Sequence, residues 1–357
     1  MTQMKAIIKT ETSFGASLRS VPVPVPGPGE VLVKVMATAI CGTDVHVYEW
    51  NKWAQGAVRS LPRIMGHEFS GEVLQLGEGV NNLRKGDRVA GETHIPCGRC
   101  YQCKNGLQHI CANMVLFSID SDGCFAQYTV IPEICARKIP EDIPWEHGAM
   151  MEPLGTSVRA AQEVVPAGAN VAVIGAGPIG LGAVTALKAL GAARIMVSDI
   201  SDDRLSIAAE VGATHLFNPL KEDVASKVMD ITSGVGADSF IDASGSVRAI
   251  SEGFRYLRKG GRVALVGLPS ESISLDLGPQ VIFKEAKIIG IHGRVMFETW
   301  TVMENLMASG LLALKPIVSH ILPLEDFEKG FSLLKEGKGC KIILDPWQEG
   351  QLPTLKE

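Results

Sequence analysis

The chain has 357 residues, of which 46% are hydrophobic and 20% are charged. These proportions are typical of a folded globular protein and exclude a disordered or fibrous chain. The net charge of −5 does not suit a surface that neutralises nucleic-acid phosphates. At about 150 residues per domain, the length favours two domains. Glycine is abundant, with 38 residues, which predicts tight turns or close approach of backbone to a ligand.

The beginning of the chain lacks the features of a secretory signal, because its short apolar run is interrupted by lysine and no small-residue cleavage site follows. The stretch from Val164 to Leu187 carries no charge and is as long as a membrane span of about 20 residues. However, it contains Pro166, Asn170 and several glycines, which suit a strand, a turn and a helix better. We therefore expect a cytoplasmic protein with neither a membrane span nor a nucleic-acid partner.

The first region of the chain, residues 1–154, reads as short β-strands separated by Gly and Pro turns. Regular strands at this spacing predict a mainly-β barrel or sandwich domain. The predicted strand segments, in chain order, are MKAIIKT, PVPVPGPGE, VLVKVMATAI, GEVLQLGEG, GDRVAG and FAQYTVIP.

The second region, residues 155–296, alternates apolar strands with helical stretches. This alternation predicts an α/β domain with a doubly wound parallel sheet. Its predicted strands are VAVIG, ARIMVSD, SFIDAS, GRVALVG and KIIGIHG. A core-packed helix follows, and residues 297–357 are expected to return to the first domain. Its apolar face consists of Met296, Phe297, Trp300, Met303 and Met307.

A glycine motif, GAGPIG, follows the first strand of the α/β region and opens a helix. In a dinucleotide-binding fold, such glycines permit a tight turn, the approach of backbone amides to a pyrophosphate, and close helix packing. Asp199 ends the next strand, where a carboxylate would bind ribose hydroxyls and repel a 2′-phosphate. The motif therefore predicts NAD rather than NADP, with a nucleotide-free glycine turn as the alternative. Arg204 would either cover the adenine or be a solvated arginine at a helix start.

A cluster of cysteines has the spacing C-x2-C-x2-C-x7-C. Four thiolates from one short loop can close a tetrahedral zinc site that leaves no position for substrate, which predicts a structural zinc. Disulfides are disfavoured in a chain without a secretory signal. An iron–sulfur cluster is the chemical rival, but the spacing before the fourth cysteine does not match the bacterial ferredoxin pattern. The predicted ligands are Cys97, Cys100, Cys103 and Cys111.

A second set of possible metal ligands is spread along the first region. It consists of Cys41, His67, Glu68 and Glu152. A thiolate, an imidazole and carboxylates can hold a zinc that retains room for water or an alcohol oxygen. Each residue alone would more often be structural. Their joint occurrence with a dinucleotide-binding motif favours a catalytic metal site.

These motifs together resemble the zinc-dependent medium-chain alcohol dehydrogenase superfamily over essentially the whole chain. Within the superfamily, the chain is similar to the L-threonine 3-dehydrogenase family through AICGTDVHVYEWNKW, GETHIPCGRC, VIFK and GRVMFETW. The resemblance implies a Rossmann domain, a GroES-like catalytic domain with a zinc lobe at about residues 94–114, and a homotetramer. It also implies NAD-dependent oxidation of L-threonine to 2-amino-3-oxobutyrate, with one catalytic and one structural zinc per subunit.

The resemblance assigns roles to individual residues. Thr43 and His46 match a proton relay that would pass the substrate's hydroxyl proton through the ribose to solvent; a structural histidine is the alternative for His46. Glu152 matches an acidic position that ligates or closely approaches the zinc, and Arg294 matches a substrate contact. The matching cofactor contacts are Gly175, Gly177, Pro178, Ile179, Gly180, Asp199, Arg204, Val266, Gly267, Leu268, Ile291 and His292.

Three residues depart from the family pattern. Thr156 stands where the family commonly has asparagine, and Arg159 and Val295 also differ. The zinc chemistry is unaffected, but a polyol, sugar or 2,3-butanediol dehydrogenase remains an alternative because it would share the metal and cofactor residues. A nucleotide-binding protein without catalysis is the more remote alternative.

Overall fold

The structure is a computed structural model that describes residues 2–347. Within the described residues, the chain divides into two compact units, the first formed by residues 2–152 and 318–347 and the second by Pro153–Ile317. The second unit thus extends beyond residue 296, where the sequence analysis ended it. Trp300 and Met303 are fully buried, and the Ala313 amide donates a hydrogen bond to Thr185 Oγ1 at 2.7 Å. These interactions account for the longer second unit.

The described residues form strands and helices that are numbered in chain order. The strands are β1 Gln3–Lys9, β2 Ser17–Pro22, β3 Glu30–Ala39, β4 Arg63–Ile64, β5 Glu68–Leu76, β6 Arg88–Gly91, β7 His94–Ile95, β8 Val115–Leu116, β9 Tyr128–Pro132, β10 Ala136–Lys138, β11 Asn170–Ile174, β12 Arg194–Ser198, β13 His215–Phe217, β14 Ala237–Asp242, β15 Leu257–Leu265, β16 Lys287–Gly290, β17 Val318–Pro323 and β18 Lys341–Asp345. The α-helices are α1 Gly42–Glu49, α2 Lys52–Ala57, α3 Tyr101–Lys104, α4 Trp145–Ala149, α5 Met151–Glu163, α6 Pro178–Ala189, α7 Asp202–Val211, α8 Val224–Ile231, α9 Val247–Tyr256, α10 Glu298–Ala308 and α11 Phe327–Lys335.

The first unit is built on a seven-stranded sheet in the order β10-β6-β5-β3-β18-β17, with β9 also paired to β3. A three-stranded sheet, β2-β1-β4, and the β7-β8 hairpin complete it. Strand β3 is central because β5, β9 and β18 all pair with it. Its alternating, mostly buried valines and alanines form the middle of the core. This mainly-β unit corresponds to the domain that the resemblance implies to be GroES-like.

The second unit is a six-stranded parallel sheet in the order β13-β12-β11-β14-β15-β16, with helices between successive strands. This is the Rossmann strand order, and the order reverses between β11 and β14. Loops that follow these two strands diverge there and leave a crevice at the carboxyl edge of the sheet. The fold therefore places a nucleotide site after β11 and β14.

Most predicted strands lie where the sequence placed them, and the differences are of two kinds. PVPVPGPGE was expected to be a strand, but β2 ends at Pro22 and residues 23–29 are outside any strand, because proline has no N–H for a ladder. The sequence analysis did not list several strands, among them the three-residue β13 and the longer β17 and β18. Within residues 2–347, no helix has the length and apolarity needed to cross a membrane.

Candidate active site

Three of the predicted metal ligands meet in the first unit. One ligand atom each of Cys41, His67 and Glu68 lies within 4.8 Å of the other two. Cys41 caps the N-terminus of α1 directly after β3, while His67 and Glu68 stand where β5 begins. His67 and Glu68 are buried. A thiolate, an imidazole and a carboxylate at this separation fit a zinc ion with an open position.

Asp44, which the sequence analysis did not select, fixes two of these ligands. Its Oδ2 accepts a hydrogen bond from the Cys41 amide at 2.9 Å, and its Oδ1 lies 3.5 Å from Nδ1 of His67. Burial opposes a charge on His67, but Asp44 and Cys41 outweigh it and raise the pKa of His67 well above its usual value. A carboxylate behind a ligating imidazole orients the ring and strengthens its donor nitrogen. The available signal was an acidic residue three positions after the N-cap Cys41, where its carboxylate can accept from the N-cap amide.

Lys341 is a second residue that the sequence analysis missed. Its Nζ lies 2.7 and 3.0 Å from the two oxygens of Glu68 and 3.3 Å from the carbonyl of Ile40. Burial disfavours the ammonium charge, but Glu68 and Cys41 outweigh it and raise the pKa of Lys341. Lys341 thus supplies a buried counter-charge to Glu68. No local sequence pattern signals this pair, because the two residues are 273 positions apart.

Glu152 has two sets of neighbours, because its charge acts on Glu68 and helps to raise the pKa of that carboxyl after the larger effect of burial. Its carboxylate also lies within 4.8 Å of ligand atoms of Glu92 and His94, and all three residues are buried. Glu92 Oε1 also accepts hydrogen bonds from the His94 amide at 2.9 Å and faces its Nδ1 at 2.8 Å. The sequence analysis listed Glu152 with Cys41, His67 and Glu68; in the structure its carboxylate also lies beside Glu92 and His94.

Thr43 and His46, the predicted relay residues, both lie on α1. Residues three positions apart share a helix face, so the two side chains follow one another along α1. Thr43 is half-buried and His46 is exposed. Asn51, at the N-cap of α2, places its Nδ2 2.7 Å from Nδ1 of His46. Helix α1 thus carries one relay candidate toward the interior and the other at the surface.

The four predicted structural ligands also come together, with their sulfurs within 4.8 Å of one another. Cys100 Sγ lies 3.5 Å from Cys103 Sγ and 3.7 Å from Cys111 Sγ. Hydrogen bonds from the backbone amides of Arg99 and Cys100 lower the pKa of Cys97 to about 6. Amides that stabilise a thiolate favour metal ligation, so this closed sulfur cluster fits a structural zinc.

A cavity of about 390 Å³ lies in the second unit, at the expected crevice. Its lining comes from the ends of β11, β12 and β14 and from the helices that follow them. The lining includes the predicted Gly175, Gly177, Asp199 and Arg204, together with Ala243, Ser244, Ser246, Arg248 and Glu252.

Each glycine of the motif is needed for a different structural reason. A Cβ on Gly180 would lie 1.8 Å from the Gly175 carbonyl oxygen, so only glycine allows α6 to pack there. Gly175 has a φ of 93°, which disfavours any residue with a Cβ. Gly177 has open space instead, and as N-cap of α6 it has no side chain to satisfy the first amides. Pro178 and Ile179 form the first turn of α6. This helix end fits a pyrophosphate.

Asp199 forms hydrogen bonds with two segments beside the cavity, the glycine turn and the residues that follow β12. Its Oδ2 accepts a hydrogen bond from the Ala176 amide at 2.7 Å, and its Oδ1 accepts one from the Ser201 amide at 2.9 Å. The carboxylate thus holds the glycine turn against the end of β12. Arg204, in the first turn of α7, lines the same cavity.

The other predicted cofactor residues lie on neighbouring loops of this unit. A Cβ on Gly267 would come 2.2 Å from the Gly245 amide nitrogen, so the two loops touch through backbone. Leu268 is 84% exposed, and the Val266 amide donates to the Asp242 carbonyl. The Ile291 amide donates to the Leu265 carbonyl, and the His292 carbonyl accepts from Arg159 Nη1 at 2.9 Å. None of these five predicted residues is among those that line the cavity.

Arg294, the predicted substrate contact, is only 1% exposed. Its guanidinium lies 5.8 Å from the Trp300 ring centroid, and a Cβ on Gly155 would come 2.5 Å from its Cδ. Glycine at position 155 therefore makes room for this arginine. Arg294 and Trp300 of the GRVMFETW segment thus lie close together in the interior of the second unit.

Comparison with known proteins agrees with this architecture. The model of the alcohol dehydrogenase GroES-like domain matches residues 27–141, and the model of the zinc-binding dehydrogenases matches residues 178–309. The chain belongs to the zinc-binding alcohol dehydrogenase family. The chain is 44% identical over 345 residues to L-threonine 3-dehydrogenase of Thermococcus kodakarensis, covering 96% of this chain and 98% of that protein. The corresponding enzyme of Bacillus subtilis is 42% identical, with coverage of 96% and 99%.

Solved structures of the family have the same fold. An alcohol dehydrogenase from Escherichia coli CFT073, solved with NADH, is 29% identical with a TM-score of 0.89, covering 97% of this chain and all of that one. The 2R,3R-butanediol dehydrogenase of Bacillus subtilis is also 29% identical, with a TM-score of 0.87 and coverage of 96% and 99%.

Proposed function

We propose that the chain oxidises L-threonine at its hydroxyl-bearing carbon to 2-amino-3-oxobutyrate, with reduction of NAD⁺. The supporting observation is the buried group of Cys41, His67 and Glu68 in a chain that is 42–45% identical to L-threonine 3-dehydrogenases over 96% of its length. The structurally similar butanediol dehydrogenase is more distant in sequence, at 29% identity. Threonine is therefore favoured over a diol or a polyol.

The two ligand sets have different tasks in this proposal. The Cys41 group holds a catalytic zinc and the four-cysteine lobe holds a structural zinc, which gives two ions per subunit. When bound, zinc stabilises negative charge on the substrate oxygen and NAD⁺ takes up the hydride. Asp44 keeps the His67 ring oriented. Burial raises the pKa of Glu68, and Lys341 opposes this effect and holds the carboxylate in place.

Proton removal falls to residues of α1. Thr43 accepts the hydroxyl proton of the substrate and passes it on through hydroxyl groups toward His46 and solvent. The exposed position of His46 suits the outer end of such a relay. Glu152, with Glu92 and His94, supplies carboxylate charge that suits the ammonium group of an amino acid substrate.

The cavity of the second unit binds NAD in this proposal. The open space at Gly177 and the free amides at the start of α6 receive the pyrophosphate. Asp199 faces the ribose that NADP would carry phosphorylated, so its charge favours NAD. Arg204 lies beside the adenine.

The assembly and compartment are further parts of the proposal. Strand β16 is an edge of the parallel sheet and exposes Ile288, while Ile282 and Phe283 nearby are 65% and 72% exposed. An apolar edge strand with unpaired backbone groups favours pairing with a second copy. We propose a homotetramer in the cytoplasm that includes this contact.

The proposed function can be tested with purified, zinc-replete protein. NADH formation is measured with NAD⁺ and L-threonine, its stereoisomers, L-serine, sorbitol and 2,3-butanediol. We expect the highest kcat/KM with L-threonine. A preference for sorbitol or butanediol would contradict the proposed substrate but would not affect the zinc and NAD assignments. Absence of turnover with every compound, while NADH still binds, would favour the non-catalytic alternative.

A further inference from the structure

The contact between His46 and Asn51 joins two side chains, and the group that one presents decides whether the facing atom of the other donates or accepts. Asn51 Nδ2 and His46 Nδ1 are 2.7 Å apart, at the junction of α1 and α2. An asparagine side chain can present either its NH₂ group or its carbonyl oxygen, and a neutral histidine can carry its proton on either ring nitrogen. The surrounding contacts must decide between these arrangements.

The start of α2 decides the orientation of the Asn51 amide. Its Oδ1 accepts hydrogen bonds from the amides of Trp53 at 3.1 Å and Ala54 at 3.2 Å. These amides are at the second and third positions of α2, where no helical carbonyl is available. A flipped amide would turn its NH₂ group toward two N–H donors and leave them without an acceptor. The capping oxygen therefore stays at the helix, and the NH₂ group stays at His46.

The orientation of the amide in turn decides the histidine tautomer. An NH₂ group is only a donor, so His46 Nδ1 must accept the hydrogen bond with its lone pair. The single proton of the neutral ring is then on Nε2. The ring is also held from the side by Trp53, whose centroid is 5.7 Å away. A ring with a second proton on Nδ1 would place two donors against each other at 2.7 Å.

We propose that Asn51 is a positioning residue that holds His46 as the Nε2–H tautomer, so that His46 presents a hydrogen-bond donor from Nε2. This inference rests on the proposed function only in giving His46 a place in the proton relay. The inference changes the role of His46 in the relay. The neutral ring would donate a hydrogen bond from Nε2 and so hold an oxygen atom of the relay in place. The lone pair that would accept a proton is already occupied by Asn51.

Solid-state NMR of the zinc-loaded, NADH-bound enzyme with ¹³C,¹⁵N-labelled histidine tests the proposal directly. The spectra are recorded at a pH of about 8.5. The chain has eight histidines, and the spectrum of His46→Gln identifies the signals of position 46. Nε2 is bonded to Cδ2, whereas Nδ1 is bonded to Cγ, so the carbon correlated with the protonated nitrogen reports the tautomer.

We expect the protonated nitrogen to correlate with Cδ2 in the unsubstituted enzyme. In Asn51→Asp, one oxygen keeps the helix cap and the other becomes an acceptor for His46, so the proton should move to Nδ1. Asn51→Ser keeps a capping oxygen but has no group that reaches His46, and it should show both tautomers. A proton on Nδ1 in the unsubstituted enzyme, or identical spectra in all three proteins, would overturn the proposal.

The same variants separate this inference from the proposed function. The tautomer is read without substrate, so it does not depend on turnover. If His46→Gln oxidised L-threonine at an unchanged rate, the relay would lose His46 while the tautomer assignment stood. If substitution of Asn51 left the tautomer unchanged but His46→Gln lost activity, the relay role of His46 would be supported and the proposed role of Asn51 would be wrong.

Discussion

The Nζ of Lys341 lies 2.7 and 3.0 Å from the two carboxylate oxygens of Glu68, and both side chains are almost completely buried. Removal of one partner of such a pair leaves a charge without compensation in the protein interior. The Lys341→Met variant should therefore lose about 3–5 kcal/mol of stability. Denaturant unfolding of the first unit, followed by tryptophan fluorescence, measures this loss.

Two further variants control for the loss of a positive charge in general. Lys338→Met removes an exposed lysine from a surface ion pair with Glu336 and should change stability by less than about 1 kcal/mol. Glu68→Gln with Lys341→Met removes both charges and should recover much of the stability. Equal unfolding curves for Lys341→Met and Lys338→Met would show that the buried pair does not stabilise the fold.

The four-cysteine lobe should account for one of two zinc ions per chain. Replacement of Cys100 by serine removes a thiolate whose sulfur is 3.5 and 3.7 Å from those of Cys103 and Cys111. The zinc content, measured by mass spectrometry of the metal, should fall by one ion per chain, and the thermal midpoint should fall with it. Cys135→Ser changes a buried cysteine outside the cluster and should keep the full zinc content. Unchanged zinc in Cys100→Ser would argue against a metal in the lobe.

Alanine substitutions at two glycines of the GAGPIG motif should have different effects, one on thermal stability and the other on NADH affinity. At Gly180 the added Cβ would meet the Gly175 carbonyl oxygen at 1.8 Å, so Gly180→Ala should lower the thermal midpoint without cofactor. At Gly177 the added Cβ meets nothing within 4 Å, so Gly177→Ala should fold normally. Its methyl group would stand where phosphate must approach, and NADH should bind at least about tenfold more weakly, which is about 1.4 kcal/mol.

Differential scanning fluorimetry with and without NADH checks both glycine predictions. The pair is informative because the two substitutions add the same methyl group within four residues of each other. Equal thermal midpoints for the two cofactor-free variants would contradict the packing argument. Unchanged NADH affinity in Gly177→Ala would contradict the phosphate position.

Asp199 should control both cofactor affinity and cofactor choice. Asparagine at this position has one acceptor oxygen where the carboxylate has two, so it cannot accept from both the Ala176 and the Ser201 amides. Asp199→Asn should therefore raise the KM for NAD⁺ about tenfold, and the lost charge should make the kcat/KM for NADP⁺ rise. Asp203→Asn, on the exposed side of α7, is the control and should leave both constants unchanged. A selectivity for NAD⁺ that survives in Asp199→Asn would assign the choice to another residue.

Features that depend on neighbouring residues could be predicted from the sequence. The four cysteines lie within fifteen positions of one another, so their spacing alone predicts that they can share an ion. The strands of the second unit were predictable because apolar runs, turns and helices alternate regularly. PVPVPGPGE misled the strand prediction because its valines alternate while its prolines cannot donate to a sheet.

The sequence by itself determined the family, the parallel sheet and the types of ligand, because these follow from local patterns and motifs. Only the tertiary structure decided which distant side chains meet. It placed Lys341 on Glu68, placed Glu152 beside Glu92 and His94, and buried Arg294 against Gly155. Such pairs are far apart along the chain, and no local propensity encodes them. For Glu68, burial makes an uncompensated charge costly, so the folded chain supplies Lys341 from another strand. For Arg294, close packing requires a position without a side chain, which Gly155 supplies.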